Sequence, residues 1–284
     1  MPDTSPITLQ EAADRLGVHY MTAYRYVRTG RLPAERSGSQ WLVDPRDLAA
    51  VGRTAAPAGR PTKGGANRSR RATLSRRLEA RLVAGDEAGA WAVVEAALGS
   101  GATPDEVLVD GIGPAMDSIG RHWKDGTYSV DDEHRATAVT LRLVSRLGAR
   151  FPRRGPKRPT VILGTPPGEL HGLPTAMAAN VLRGRGYEVV DLGANVPPEA
   201  FATAVAKASR PLAVAVAVTA GDHDRSIRAI VRSLHESAPG VAVLVGGAAI
   251  ETAAHAARLG ARWTGADARS LGELVEELGG RAGR

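Results

Sequence analysis

The chain has 284 residues, 43% of them hydrophobic, so it is long enough to form two or three separate modules. Its formal net charge of +7 favours a polyanionic partner. The sequence contains no cysteine, which excludes disulfides and thiolate metal sites. No signal peptide or apolar run of membrane-spanning length is recognisable, so we expect a cytoplasmic protein.

The first part of the chain has the pattern of a helix-turn-helix followed by a hairpin. Residues 7–28 predict two short helices, with Thr8 as a candidate N-cap and Gly17 in the tight turn between them. Residues 36–43 predict a hairpin wing, and residues 44–45 open a closing helix. The second helix of such a motif lies in the major groove of DNA.

This segment resembles the winged helix-turn-helix of MerR-like and excisionase-like proteins, and the resemblance implies DNA binding. The alternative for its charged residues is an ordinary solvated surface. The residues best placed to face DNA are Tyr20, Thr22 and Arg25, with Arg28, Arg36, Ser39 and Gln40 nearer the phosphates.

The middle of the chain changes from linker-like to helical composition. Residues 52–72 are rich in Gly, Pro, Ala and Arg without hydrophobic periodicity, which predicts a flexible basic linker that could also touch phosphates. From residue 74 to about residue 151 the pattern is helical. Four helices with short connections predict a bundle.

Within the bundle, Trp123 is followed after nine residues by Glu133 and His134. The residues between them predict a turn into the next helix, which Ser129 or Asp131 can cap. An indole at one helix end and a Glu-His pair at the next helix start can converge on one face of a bundle. The alternative is a core tryptophan beside a solvated Glu-His pair.

Three apolar runs follow, separated by helical segments. Residues 160–164, 213–218 and 241–245 predict buried strands of a doubly wound parallel sheet. Sheets of this class bind ligands at the carboxyl ends of their strands.

Candidate ligand-binding residues lie at these strand ends. Glu169 and His171 stand in the loop after the first strand, where the carboxylate can accept the N–H of one ring nitrogen and leave the other for a metal. The alternative for a lone loop histidine is a solvated surface residue. Thr219 follows the second strand, and Gly246 and Gly247 follow the third, where missing side chains let the backbone approach a ligand.

The Glu-x-His loop resembles that of cobalamin-binding domains, whose Asp/Glu-x-His-x-x-Gly motif carries the histidine that replaces the cofactor's own base below cobalt. Pro174 stands where that motif has Gly, and Ala217 replaces the serine of the Ser-x-Thr/Leu motif. The resemblance implies that His171 binds the metal. The implied cofactor-binding residues are Trp123, Glu133, His134, Glu169, His171, Gly172, Thr219, Gly246 and Gly247.

The Trp-x9-Glu-His pattern resembles the cap of light-sensing, adenosylcobalamin-dependent repressors of the CarH/LitR type. The resemblance implies that the cap covers the adenosyl group, that a tetramer binds DNA in the dark and that light breaks the assembly. In that family a histidine directly after the tryptophan becomes an upper cobalt ligand after photolysis. Here that position is Lys124, and His122 would point roughly 100° away from Trp123 on a helix, which argues against a bis-histidine photoproduct.

We therefore expect a multidomain α/β protein that regulates transcription with adenosylcobalamin, a cobalt corrinoid, and has no enzymatic activity. The alternative is the corrinoid protein of a methyltransferase or mutase system, in which the helix-turn-helix would have no role. The expected parts are a winged helix-turn-helix (1–51), the linker (52–72), a four-helix bundle cap (73–155) and a Rossmann-like doubly wound cobalamin domain (156–284).

Overall fold

The computed structural model describes residues 6–18, 20–28, 32–37, 40–48, 63–151, 155, 158–265 and 267–282. The chain divides into two compact units, Met1–Arg68 and Ser69–Arg284. Among the described residues, no helix combines the length and the apolar character needed to cross a membrane.

The first unit contains the predicted helix-turn-helix and hairpin. Its strands form an antiparallel sheet in the order β1-β3-β2, of which β1 was not predicted because two residues are too short to show an alternating pattern. The elements are β1 (Ile7–Thr8), α1 (Leu9–Leu16), α2 (Tyr20–Arg28), β2 (Glu35–Ser37), β3 (Gln40–Val43) and a 3-10 helix (Pro45–Asp47).

Local capping explains where these helices begin and end. Thr8 and Glu11 form a capping box at the start of α1, as expected for the predicted N-cap. Gly17 ends the helix with a φ of 65°, which a residue without Cβ adopts readily. Asp44 accepts the N–H of Arg46 and so caps the 3-10 helix.

The predicted four helical segments come next and lie in the second unit, apart from residues 63–68 of the first helix. The helix α3 starts at residue 63, so it includes residues 63–72 of the segment that we expected to be a flexible linker. This part has no proline, and its Ala and Arg residues have high helix propensity. The segments are α3 (Lys63–Val83), α4 (Glu87–Gly99), a continuous run of α5 (Pro104–Glu106), a π-helical turn (Val107–Ile112) and α6 (Gly113–Lys124), and α7 (Val130–Gly148).

The remainder of this unit is a parallel sheet with helices on both faces. The strand order is β5-β4-β6-β7-β8, and the three predicted strands β4, β6 and β7 occupy its centre. The elements are β4 (Arg158–Gly164), α8 (Leu173–Gly184), β5 (Tyr187–Asp191), α9 (Pro198–Lys207), β6 (Pro211–Ala217), α10 (Asp224–Ser237), β7 (Ala242–Gly246), α11 (Ala253–Arg258), β8 (Arg262–Trp263) and α12 (Ala268–Ala282).

The helical bundle packs directly on helix α8 of this α/β domain. Val181 of α8 belongs to the same buried cluster as the bundle leucines. The buried amide of Asn180 donates a hydrogen bond of 2.7 Å to the carbonyl oxygen of Val144 in α7. A Cβ at Gly148 would lie 2.8 Å from Asn180 Oδ1, so a glycine at this position allows α7 to approach α8 closely. The bundle therefore has a fixed place on one face of the sheet domain.

We expect Asn180→Ala to lower the free energy of unfolding by about 1–3 kcal/mol, because it removes a buried hydrogen bond between α7 and α8 and leaves the space of the amide unfilled. Urea denaturation followed by circular dichroism measures this change. Thr203→Ala is a matched control, since the exposed Thr203 hydroxyl donates only to the carbonyl oxygen of Glu199 in the same helix. Equal stabilities of the Asn180 variant and the unmodified protein would contradict the structural role given to this contact.

Candidate functional site

The loop between β4 and α8 presents a histidine whose orientation is fixed by a buried carboxylate. Glu169 is only 2% exposed, whereas the side chain of His171 is 48% exposed. Oε1 of Glu169 lies 2.5 Å from His171 Nδ1 and accepts the His171 backbone N–H at 3.0 Å. Because an ionised carboxylate can only accept hydrogen bonds, the neutral ring carries its proton on Nδ1 and keeps its lone pair on Nε2. The ring is therefore tethered, accessible and able to bind a metal through Nε2.

The other oxygen of the same carboxylate bonds to the turn that follows β6. Glu169 Oε2 accepts the backbone N–H groups of Thr219 at 2.7 Å and Ala220 at 3.1 Å. Burial raises the pKa of Glu169, but the hydrogen bonds from His171, Ala220 and Thr219 outweigh burial, so this pKa lies below its usual value. Thr219 thus contributes to the site through its main chain.

The backbone of the loop between β4 and α8 is held by Thr165 of the same loop and by Asn195 of the loop between β5 and α9. The buried hydroxyl of Thr165 donates to the carbonyl oxygen of Glu169 at 2.6 Å. The backbone N–H of Asn195 contacts the Thr165 hydroxyl at 2.9 Å, and Asn195 Oδ1 accepts the N–H of Gly168 at 2.8 Å. Asn195 has a φ of 55°, a conformation that asparagine tolerates better than most residues. Neither Thr165 nor Asn195 was predicted, although an asparagine in a Gly-Ala-Asn turn after a strand is a recognisable signal.

Gly246 and Gly247 are required by the fold itself. Gly247 has a φ of 101°, and a Cβ there would overlap the carbonyl oxygen of Val218. A Cβ at Gly246 would overlap the hydroxyl of Thr264. The two glycines therefore allow three segments to meet at the carboxyl edge of the sheet.

A cavity of about 100 Å³ opens at this edge, between α8 and α12. Its lining is mainly apolar and includes Leu163, Ala178, Ala215, Leu271 and both glycines. Gly172 does not line the cavity; it precedes α8, and its carbonyl oxygen accepts the Thr175 hydroxyl at 2.9 Å. Pro174 and Thr175, which follow His171 by three and four residues, also line the cavity, so the same loop and helix start carry the tethered imidazole and part of the cavity wall.

Of the predicted cap residues, Trp123 and His134 are exposed on the bundle, and Glu133 is partly buried. Trp123, in the last turn of α6, is 45% exposed, so it is not a core residue. His134 is 74% exposed, and its Nδ1 lies 2.9 Å from Oε2 of Glu133. Ser129 caps α7, as expected, by accepting the N–H of Asp132. The indole and the imidazole are both available to a ligand.

The first unit carries the predicted DNA-contacting residues on its second helix and its hairpin. Tyr20 lies in the first turn of α2 and is exposed, and Arg36 is exposed on β2. Ser39 lies outside the described residues. The structure describes the backbone but not the side chains of Thr22, Arg25 and Arg28 in α2 and of Gln40 in β3. The elements are as expected, and the contacts with DNA stay predictions.

Three family models match the chain. A helix-turn-helix domain matches residues 7–51, one B12 binding domain model matches residues 74–147, and another matches residues 159–278. These matches coincide with the first unit, the bundle and the sheet domain, and they confirm the predicted helix-turn-helix and cobalamin-binding domains.

The chain is also similar to individual proteins of known class. It is 34% identical to the HTH-type transcriptional repressor CarH of Myxococcus xanthus, over 51% of this chain and 46% of that protein. It is 28% identical to trimethylamine corrinoid protein 1 of Methanosarcina acetivorans, over 41% of this chain and 55% of that protein. The chain thus spans about half the length of the curated relatives it matches.

A solved structure supports the fold of the second unit. The monomethylamine corrinoid protein of Methanosarcina barkeri superposes with a TM-score of 0.65 at 17% identity, covering 73% of this chain and 99% of that one. That likeness concerns the fold alone. The chain therefore joins a helix-turn-helix domain to two B12 binding domains, and over about half of its length it is similar to the repressor CarH.

Proposed function

We propose that this protein is a light-responsive transcriptional repressor that uses adenosylcobalamin as a sensor and has no enzymatic activity of its own. The observation that carries the proposal is the joining of a helix-turn-helix to a B12-binding domain whose loop presents a tethered, accessible imidazole. The chain's similarity to a repressor of this type supports the same function.

In the proposed complex, His171 binds cobalt through Nε2, because Glu169 holds the proton on Nδ1. The cavity between α8 and α12 receives the organic tail of the cofactor, against the bare backbone of Gly246 and Gly247. Gly172 and Thr219 contribute through their main chains, at the start of α8 and at the Glu169 carboxylate.

Trp123, Glu133 and His134 would enclose the adenosyl group of the bound cofactor. The exposed indole offers an apolar surface for the adenine, and the Glu-His pair offers hydrogen bonds. Bound adenosylcobalamin supplies a cobalt–carbon bond that light can break. Once the adenosyl group is lost, the cap residues would have no group to recognise. The cofactor would then no longer bind the assembled conformation more tightly than the dissociated one.

Assembly controls DNA binding in this proposal. One small helix-turn-helix offers few phosphate contacts and binds weakly at physiological salt. A tetramer that carries several such domains raises the effective concentration of the later ones, strengthening binding to repeated sites by about 10²–10⁴-fold. The net charge of +7 favours the same polyanionic partner.

A second candidate function is that of a methyl-carrying corrinoid protein, which the similarity to trimethylamine corrinoid protein 1 favours. A methyl carrier would bind methylcobalamin at least as well as adenosylcobalamin and would not require DNA. The helix-turn-helix domain has no role in methyl transfer, so we favour the regulator.

We expect His171→Ala to lose cobalamin or to bind it weakly with the cofactor's own base on cobalt. Glu169→Gln should weaken binding by about 10–100-fold, since it disturbs the partner that orients a metal-binding histidine. Absorbance titration measures affinity and reports which base is bound. His235→Ala, at an exposed histidine of α10, is the control. Unchanged affinity and an unchanged base-off spectrum in His171→Ala would rule out this ligand.

Adenosylcobalamin should promote oligomer formation in the dark far more than methylcobalamin or hydroxocobalamin, because the cap reads the upper group. Size-exclusion chromatography with each form tests this, and Trp123→Ala should remove the difference. Equal assembly with all three forms, or assembly with none, would show that the cap does not recognise adenosyl.

Promoter binding should require the cofactor-loaded oligomer. In mobility-shift assays on the protein's own promoter region, we expect a tight complex only with adenosylcobalamin in the dark, and its loss under green light. Arg25→Ala should weaken the complex by about 1–3 kcal/mol if that side chain contacts a base. Arg225→Ala removes one charge from α10 and serves as the control. Equally tight binding by the cofactor-free protein would refute the proposed coupling.

A further inference from the structure

A hydrogen-bonded cluster joins helix α3 to the cap. Oε1 of Glu79 lies 3.1 Å from Nδ1 of His122 and accepts the hydroxyl of Tyr128 at 3.2 Å. The rings of His122 and Tyr128 meet edge to face, with centroids 5.0 Å apart and planes at 77°. One carboxylate thus contacts two aromatic side chains that also contact each other.

The two aromatic residues stand at the two ends of the turn that separates the halves of the cap. His122 directly precedes Trp123, and Tyr128 directly precedes Ser129, the residue that caps α7 and so begins the helix of the Glu-His pair. The backbone N–H of Tyr128 also donates to the carbonyl oxygen of His122 at 3.0 Å. Glu79 therefore fixes both ends of this turn from a third helix.

The Glu79 side chain is partly buried, which strengthens its hydrogen bonds to His122 and Tyr128. Its side chain is 13% exposed, so water competes less for its hydrogen bonds than at the surface. Burial, and then the charge of Glu79, raise the pKa of Tyr128. In the Glu133–His134 pair, His134 is 74% exposed, whereas Glu133 is partly buried and also accepts the hydroxyl of Thr137 at 2.8 Å.

We propose that Glu79 is a positioning residue for the cap: through His122 and Tyr128 it sets the spacing between Trp123 and the Glu133–His134 pair, and with it the preference for an adenosyl upper group. The inference rests on the proposed function, in which these three residues enclose that group. Glu79 itself need not touch the cofactor.

The test compares Glu79→Ala with Glu79→Gln in the full-length protein. Affinities for adenosylcobalamin and hydroxocobalamin are measured in the dark by absorbance titration. In Glu79→Ala we expect the ratio of the two affinities to fall about tenfold, equivalent to one net hydrogen bond, with hydroxocobalamin binding unchanged. Glu79→Gln keeps an acceptor oxygen and should retain most of the preference.

Glu87→Ala is the matched control, because Glu87 pairs with Arg142 on the exposed surface of the same bundle. It should leave the ratio unchanged. An unchanged ratio in Glu79→Ala, or an equal loss of affinity for both cobalamins, would overturn the proposal, since the second result indicates a merely structural role. If Glu79→Ala does not fold, Tyr128→Phe removes one of the two contacts and should lower the same ratio by a smaller factor; no decrease overturns the proposal.

A second measurement separates this inference from the proposed function. In the cofactor-free protein, hydrogen–deuterium exchange of residues 122–133 should be faster in Glu79→Ala than in the unmodified protein or in Glu87→Ala. Equal exchange in all three proteins would overturn the positioning role. If the unmodified protein shows no preference for adenosylcobalamin, the proposed function fails, while the exchange rates still decide whether Glu79 orders the turn.

Discussion

The carboxylate of Glu169 receives four N–H groups, two from His171 and one each from Thr219 and Ala220. A buried charge is stable only when such partners replace water. The four donors belong to the turns after β4 and β6, which are neighbours in the sheet, so the pairing of these strands sets the position of the His171 ring. The accessible Nε2 is thus a consequence of sheet register, and the neighbouring cavity and glycine turn have a fixed relation to it.

Helix α3 has a similar role on the other side of the second unit. Besides the Glu79 cluster, Arg71 of α3 lies 3.2 Å from Asp110 in the π-helical turn. Asp110 also pairs at 3.1 Å with Arg269 of α12, the helix that lines the cavity. Since Asp110 is largely buried, its two arginine partners compensate a charge that water cannot reach freely. Helix α3 therefore contacts His122 beside the cap through Glu79, and through Arg71 and Asp110 it is linked to Arg269 of the cavity-lining helix α12.

The sequence predicts those features whose signals are local. The central strands show as apolar runs because both faces are covered, whereas the edge strands β5 and β8 carry polar residues and were missed. The Glu169–His171 pair is separated by only two positions, and its loop follows a recognisable strand. By contrast, Asn195 bonds Thr165 across 30 positions and His122 meets Glu79 across 43, and no local pattern records such pairings. Helix α3 starts earlier than expected. The sequence did not reveal its first turns, because their basic, glycine-containing composition resembles that of a linker.

The departure at Lys124 has a limited consequence for the proposed sensor. A ligand shifts a conformational equilibrium by its differential affinity for the two states, so a switch needs a group that one state recognises and that can be lost. The exposed indole of Trp123 and the imidazole of His134 are available for that recognition. A histidine at position 124 would stabilise the cofactor-bound protein after the adenosyl group is lost. That stabilisation is a separate step from recognition of the adenosyl group by the cap. The Nδ1 of His122 contacts Glu79, which directs this ring toward helix α3. In the proposed sensor, recognition of the adenosyl group by the cap does not depend on residue 124.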